Sequence, residues 1–396
     1  MNAERHQRIK RLLLAGLSRA TQPFLSLQQL IARSGRRVFV PFYHAVSDEL
    51  QPHLAPLYPV RSPAQFRRDL DFMLCHFTPV DLPELVAHCG APPAGEPTSR
   101  NSIKPPFDKP VFHITIDDGL RSAGEQMAPI LRQKGVPATF FVNSAFVGNR
   151  ALMYRYTAAL IVSHLRVARS AAAQAALLGE GRAFLEQQQR ASASAIPREN
   201  SMHAIAGAGN ASFHVPGSLT STRHLERWVL AQGYAQQHLL QGLAAQLGLD
   251  ITAFLDTVRP YLDLEDLRSL QQQGFHIGAH SIDHPWYQHI SPDERMQQTL
   301  TSLEWVRAHL PGSPDVFAFP FSDAGLPGSL IQQGLAGGVR LHFGGPGLRP
   351  SPAGALSRVA MEKDRAEAPS IVRRAYLAGW GKGLVKGILV NSMQVT

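Results

Sequence analysis

The sequence predicts an α/β fold, a distorted TIM-like (β/α)7–8 barrel that carries a large helical insertion. Short apolar runs rich in β-branched residues alternate with helical stretches between Val38 and about Val147, which is the signature of a parallel sheet or barrel. The alternation stops there and resumes at Asp263, leaving a helix-rich block between. The apolar run Val111–Ile116 ends in two carboxylates and a glycine, and the C-terminal ends of barrel strands are where catalytic groups collect.

The chain of 396 residues opens with a basic arm. Residues 1–37 hold eight Lys and Arg against a single acid, Glu4, so +7 of the net +9 sits there and the body is nearly neutral. Nucleic-acid binding therefore finds little support. Residues 4–22 have helical spacing, Pro23 ends that stretch, and Phe24, Leu27, Leu30 and Ile31 begin a second apolar pattern. Two readings of the arm stand side by side: an amphipathic segment on an anionic membrane face, or a helix packed on the barrel with a solvated basic side. The longest apolar run, Leu12–Leu17, is too short for a signal peptide or a spanning helix. The expectation is a cytoplasmic protein, with peripheral contact at the inner membrane face through 1–37 and the basic, apolar tail 373–390.

Val38–Val46, V-F-V-P-F-Y-H-A-V, reads as the first strand, with His44 at its C-terminal end. Ser62–Phe77 is helical, with Phe66, Leu70, Met73 and Leu74 on one side and Ser62-Pro63 as its start. Pro79–Leu82 is a short strand, Pro83–His88 a helix, and 90–110 a Pro/Gly/Ser loop. The central strand follows, then a helix over Ser122–Gln133 and a strand over Ala138–Asn143. In the block 148–263, two stretches rich in Ala, Leu and Gln (153–189 and 222–260) flank a Ser/Ala/Gly segment, and no compact chemical motif occurs. The barrel resumes with helix Asp263–Gln273, strand Phe275–Ala279, helix Pro292–Leu310, strand Val316–Phe319, helix Leu326–Leu335 and strand Val339–Phe343. A last strand near Ser357–Met361 leads to a C-terminal helix from about Pro369. The expected division is therefore an arm at 1–37, a barrel at 38–147 with 264–365, an insertion at 148–263 and a tail at 366–396. Cys75 and Cys89 give no disulfide framework and read as buried packing residues.

The chemistry sits at strand ends. His280-Ser-Ile-Asp-His284 follows the strand ending at Ala279, and two histidines four apart share one face if the turn is helical. With Asp118 they make the two-histidine, one-carboxylate set of a catalytic zinc site. Asp117 is then spare and can act as a base. The competing reading of Asp118 is the N-cap of the helix that begins near Ser122.

These motifs resemble the polysaccharide deacetylase family, the NodB-homology group of carbohydrate esterases. Thr115-Ile116-Asp117-Asp118-Gly119 is similar to its first motif, T-F-D-D-G, and His280–His284 to its second, H-[ST]-x-x-H. Phe42-Tyr43-His44-Ala45-Val46 resembles the Y-H-x-V start of a subgroup that deacetylates poly-N-acetylglucosamine. Phe66–Met73 resembles that subgroup's next helix, and Ala318-Phe319-Pro320-Phe321 its third motif. The resemblance covers about 38–147 and 264–365.

It implies hydrolysis of N-acetyl groups on a glycan or glycan precursor, with one divalent metal ion, expected to be zinc, held by Asp118, His280 and His284. Asp117 would be the base, and a backbone N–H near Phe321, after Pro320, would help hold the oxyanion. The family's C-terminal L-x-H histidine has no counterpart after residue 365; in the circularly permuted subgroup the histidine of the N-terminal Y-H motif takes that role, so the resemblance implies His44 as the general acid. The arginine of a typical third motif, R-x-P, is Ala318 here; Arg358, helped by Glu362, is the expected source of a guanidinium. His342 is expected to line the pocket from a strand end, and His113 to be structural. Asp283 and His289 are expected to lie behind or outside the site. Trp286 and Tyr287 read as an aromatic wall for a sugar ring or as core packing. Two other functions stand as alternatives: a catalytically degenerate glycan-binding or assembly protein, and an amidase or deformylase acting on a lipid-linked sugar.

Overall fold

The computed structural model describes Gly16 and residues 25–91, 107–194, 219–362 and 365–393. Most of the basic arm, much of the 90–110 loop and most of the 190–221 stretch lie outside the described residues. The chain divides into two compact units: residues 1–48, 60–148 and 260–396, and residues 49–59 with 149–259.

In the first unit the described strands are β1 (Val38–Phe39), β2 (Pro41–Tyr43), β3 (Thr78–Pro79), β4 (Val111–Phe112), β5 (Ile114–Ile116) and β6 (Ala138–Val142). They continue with β7 (His276–Ala279), β8 (Val316–Ala318), β9 (Leu341–Pro346) and β10 (Ala355–Ala360). Among the described residues, seven close into a barrel in the order β10-β2-β5-β6-β7-β8-β9, every pairing parallel. Seven strands fall within the range the βα count predicts.

Two runs that read as single strands are each divided. Residues 38–43 pair first in a small sheet (β1-β4-β3) and then in the barrel, and 111–116 change partners at the same level. His113 sits at that seam. Its Nδ1 lies 2.8 Å from the Val80 carbonyl and its Nε2 2.8 Å from the Thr139 hydroxyl. Burial brings its pKa down to about 4, so the ring is neutral and structural.

The helices of this unit cover the strands. α1 (Leu27–Ser34) and α2 (Pro63–His76) both open with a capping box, Ser26 with Gln29 and Ser62 with Gln65, and Pro63 takes the first position of α2 as its fixed φ favours. α3 spans Leu82–Cys89, and a π-helical turn, Ala123–Met127, precedes the short α4 (Ala128–Gln133). Phe66, Leu70 and Met73 of α2 are buried, as the spacing predicts, whereas Leu74 is 36 % exposed. Cys75 is exposed, and both cysteines are free, so the expectation of two buried packing residues fails at Cys75.

The second unit is helical: α5 (Tyr154–Val167), α6 (Ala171–Ser194), α7 (Thr222–Ala231), α8 (Gln237–Gln246) and α9 (Ile251–Val258). It also takes in residues 49–59, which the sequence reading leaves with the barrel. His53 from that segment packs edge-on against Tyr156 and Phe254, and the Ser163 hydroxyl donates to the Pro52 carbonyl at 2.7 Å. The segment is thus part of this unit's core although it is remote in sequence.

The first unit ends with α10 (Leu264–Gln272), α11 (Pro292–His309), α12 (Gly328–Ala336) and α13 (Ala368–Met393). Leu30 and Ile31 of α1 are buried, and Arg373 of α13 is turned inward, donating to the Leu25 carbonyl at 2.7 Å. Residues 25–34 of the arm therefore pack within this unit, and the Arg373 guanidinium reaches inward to Leu25. Among the described residues, no helix is long and apolar enough to cross a membrane.

Candidate metal centre and active site

The barrel register brings dispersed side chains to one end. His44 follows β2, Asp117 and Asp118 follow β5, Asn143 follows β6, His280 follows β7, and Glu362 stands two residues past β10. Phe42 pairs with Thr115 and Tyr43 with Ile116, so His44 and Asp117 leave neighbouring strands at the same level. Val142 pairs with Ala279 in the same way, placing Asn143 beside His280.

Asp118 and Gly119 both have left-handed backbone, with φ of 71° and 63°. Aspartate tolerates that region better than most residues, and glycine enters it without cost. A Cβ on Gly119 would also meet Val142 Cγ1 at 3.1 Å. The Asp-Gly order is thus a backbone requirement, and it turns the Asp118 carboxylate toward the histidines. The N-cap reading of Asp118 fails, because the helical turn at Ser122 has no side-chain cap.

Asp118 Oδ1 lies 3.4 Å from His280 Nε2 and 3.3 Å from His284 Nε2. Among the described residues these three form the one group able to hold a metal ion, with ligand atoms all within 4.8 Å of one another. The turn that carries the histidines is not helical, contrary to the spacing argument: Ser281 and His284 have φ of 72° and 63°. Side chains hold it instead. Ser281 Oγ accepts from the His284 N–H at 3.0 Å, and Gln298 Oε1 accepts from the Ile282 N–H at 2.9 Å. Asn143 Nδ2 donates to the His280 carbonyl and to Ser281 Oγ. Asp283 takes a 2.8 Å bond from Gln298 Nε2 and serves this turn from behind.

The donor set fits a divalent metal. His280 Nδ1 lies 2.8 Å from the Ala318 carbonyl, an acceptor, so that nitrogen bears the proton and Nε2 keeps its lone pair toward Asp118. Burial lowers the His284 pKa to about 3 despite the nearby carboxylates, so this ring is neutral. Burial alone would raise the Asp118 carboxyl; the polar imidazoles around it and the cationic His44 overcome this and hold it below the usual range. Two imidazoles and one carboxylate are a donor set found in catalytic zinc sites.

Asp117, beside this group, faces Arg358. Burial would raise its pKa, but the Arg358 guanidinium, with His280 and His44, holds it below the usual value. Arg358 Nη1 donates to Asp117 Oδ1 at 2.6 Å, Nε to the Gly344 carbonyl at 3.0 Å, and the guanidinium carbon sits 4.6 Å from the centre of the Phe42 ring. Arg358 thus places a guanidinium against Asp117. Its expected helper, Glu362, goes elsewhere. Glu362 Oε2 accepts from His44 Nδ1 at 2.7 Å and from the His44 backbone N–H at 2.9 Å, and Oε1 from the Ala45 N–H at 3.0 Å. Burial lowers the His44 pKa, but the Glu362 carboxylate outweighs it, with smaller help from Asp118 and Asp117, and carries it up to about 9. Nothing in the spacing ties Glu362 to His44; its place just past a strand end, like that of the Asp pair, is the signal that could have found it.

The remaining candidates separate. Phe321, after Pro320, has a left-handed backbone (φ 55°) and its ring meets His284 edge-on at 4.5 Å. Trp286 is 40 % exposed and leans on Phe321 with ring centres 5.3 Å apart. Tyr287 is core: it is buried, its hydroxyl is 3.0 Å from Thr299 Oγ1, and its ring packs on Phe317 and Phe319. His342 does not line the site. β9 runs on to Pro346, so His342 is inside the strand, stacked on Phe319, and a Cβ on Gly334 of α12 would strike its Nε2 at 2.3 Å. His289 packs beside Trp286.

The family model for polysaccharide deacetylase matches residues 104–166 and 234–328. Among solved structures the chain is similar to the deacetylase PplD of Streptococcus pyogenes in complex with acetate, at 12% identity over 85% of this chain and 97% of that one, with a TM-score of 0.48. It is similar to IcaB of Ammonifex degensii at 14% identity over 86% and 97%, with a TM-score of 0.45. A de-N-acetylase of Aggregatibacter actinomycetemcomitans gives 12% over 83% and 96%, with a TM-score of 0.43. No curated protein matches. The resemblance carried by the Asp-Asp-Gly and His-x3-His motifs thus extends across both segments that match the polysaccharide deacetylase family model.

Proposed function

We propose that the protein is a metal-dependent deacetylase that hydrolyses N-acetyl groups on a glycan. The observation that carries this reading is the meeting, at one end of the barrel, of Asp118, His280 and His284 with an ionised Asp117 and a cationic His44.

Asp118, His280 and His284 would hold the ion, which when bound lowers the pKa of water and polarises a carbonyl. Asp117 takes the proton of the attacking water as its oxygen joins the acetamide carbon. Arg358 keeps that carboxylate ionised and aimed. The backbone N–H of Phe321 receives the developing oxyanion, the usual use of a preorganised donor. The C–N bond then breaks, and His44 gives a proton to the departing amine. Acetic acid leaves and ionises in water; Asp117 releases its proton and His44 regains one. Trp286 offers an exposed indole face to a sugar ring. Arg358 beside Asp117 weighs against a degenerate barrel, since it gives the base a guanidinium where the third-motif arginine is missing.

Acetate release from N-acetylglucosamine oligomers tests the reading, together with elemental analysis. The expected result is about one zinc or other transition ion per chain, lost in an Asp118→Ala, His280→Ala double variant. Asp117→Asn should retain the metal and lose about 10²- to 10⁴-fold in kcat. A metal-loaded wild type that releases no acetate from any N-acetylated sugar would overturn it.

A further inference from the structure

A buried arginine outside the site grips the loop that carries Glu362. Arg61 is 3 % exposed, and its Nη2 donates to the Met361 carbonyl at 2.5 Å and to the Ala366 carbonyl at 2.8 Å. Those two carbonyls bracket Glu362. The backbone of Arg61 is tied to the other side of the same pair: Ser47 N–H donates to the Arg61 carbonyl at 2.8 Å, and Val46 bridges Arg61 in parallel, just past His44. Arg61 therefore joins the exit of β2, which presents His44, to the exit of β10, which presents Glu362.

A guanidinium in the interior is expensive unless paired. Here Asp69 of α2, fully buried, lies 3.4 Å from Arg61 Nε through Oδ2, and the same oxygen accepts from the Tyr43 hydroxyl at 3.2 Å. Tyr43 is the residue before His44. The arrangement spends a buried ion pair on holding two main-chain carbonyls. The planar fork of arginine serves that purpose: Nη2 reaches both carbonyls while Nε faces the acid.

We infer that Arg61 is a positioning residue for the deacetylation step: through Met361 and Ala366 it sets the Glu362 carboxylate on His44, with Asp69 and Tyr43 fixing the guanidinium. It touches neither substrate nor metal. The inference rests on His44 being the general acid, and the test separates the two.

The first readout is independent of turnover. The His44 Nδ1 proton, shared with a carboxylate at 2.7 Å, should give a strongly downfield proton resonance, identified by its loss in His44→Gln. In Arg61→Lys, which keeps the charge opposite Asp69 and shortens the reach, that resonance should move upfield or broaden away. The second readout is kinetic: kcat should fall about tenfold, as expected of a small misplacement, with KM and metal content unchanged. Adding Glu362→Gln to Arg61→Lys should cost nothing beyond Glu362→Gln alone, because both act through one interaction. Where Arg61→Lys does not fold, Asp69→Asn, which frees the guanidinium without removing it, should move the resonance in the same direction by less. A folded Arg61→Lys, or a folded Asp69→Asn in its place, with resonance and kcat unchanged would overturn the inference. A Glu362→Gln variant with full kcat would instead defeat His44 as the acid, and the resonance would still decide whether Arg61 governs the Glu362–His44 bond.

Discussion

The candidate site has two halves built in opposite ways. Asp117, Asp118, His280 and His284 come from two short motifs, both inside the family match, each built on a left-handed turn, the second clamped by Asn143 and Gln298 as well. His44, Arg358 and Glu362 come from β2 and from the end of the barrel, all outside that match, and meet only because the barrel closes β10 against β2. In the proposed reaction the first half would supply the metal ligands and the base, and the second would control protons, Arg358 through Asp117 and Glu362 through His44. A motif can carry ligands, whose demands are local, whereas proton control depends on long-range closure.

The sharpest way to break this comparison is to remove Arg358. Arg358→Met leaves a buried carboxylate alone and should destabilise the fold by about 3–5 kcal/mol, measured by urea unfolding. Asp117→Asn in the same chain should restore most of that loss, since neither charge then remains. A melt unchanged by Arg358→Met would mean that the two halves are not coupled through this pair.

Glu362→Gln should act next most strongly, and on pH dependence. A general acid must be protonated, so activity falls as pH rises through its pKa. That limb should lie near 9 in the wild type and move to lower pH in the variant, because burial then opposes the His44 charge with only Asp118 and Asp117 left to support it. Metal content should not change. A pH–rate profile of kcat on a soluble oligosaccharide reads this directly, and an unmoved alkaline limb would assign it to another group.

Trp286→Ala should have the smallest effect, a KM rise of about three- to tenfold on oligosaccharides with kcat nearly constant, as for loss of one stacking face worth about a kcal/mol. Tyr287→Phe, which removes only a hydroxyl held by Thr299, should leave KM unchanged. Equal KM effects from both would show that the exposed indole is not a sugar contact.

The contrast between the halves also explains what the sequence made legible. Asp118, His280 and His284 could be singled out because Asp118 and His280 stand at strand ends and the two histidines share a motif. Arg358 was legible through an absence, the alanine at 318. The bond between Glu362 and His44 was not, because the two lie 318 residues apart and meet through strand closure, which no local pattern encodes. Spacing also misled at His280–His284, where helical periodicity stood in for a left-handed turn clamped by Ser281, Asn143 and Gln298. The strand division at His113 was hidden for a similar reason: apolar alternation marks a strand but not its partner. The place of 49–59 in the helical unit depends on Phe254 and Tyr156, some two hundred and one hundred residues further on.

The alanine at 318 limits how the guanidinium can be moved. Its side chain is fully buried among Phe141, Val316 and Phe343, and its carbonyl holds His280. Restoring an arginine there while Arg358 remains would force a second cation into a packed interior, where even added methylenes cost about 1–3 kcal/mol. Removing Arg358 first strands Asp117. Neither substitution alone should therefore be tolerated, so moving the guanidinium from position 358 to position 318 requires both changes together.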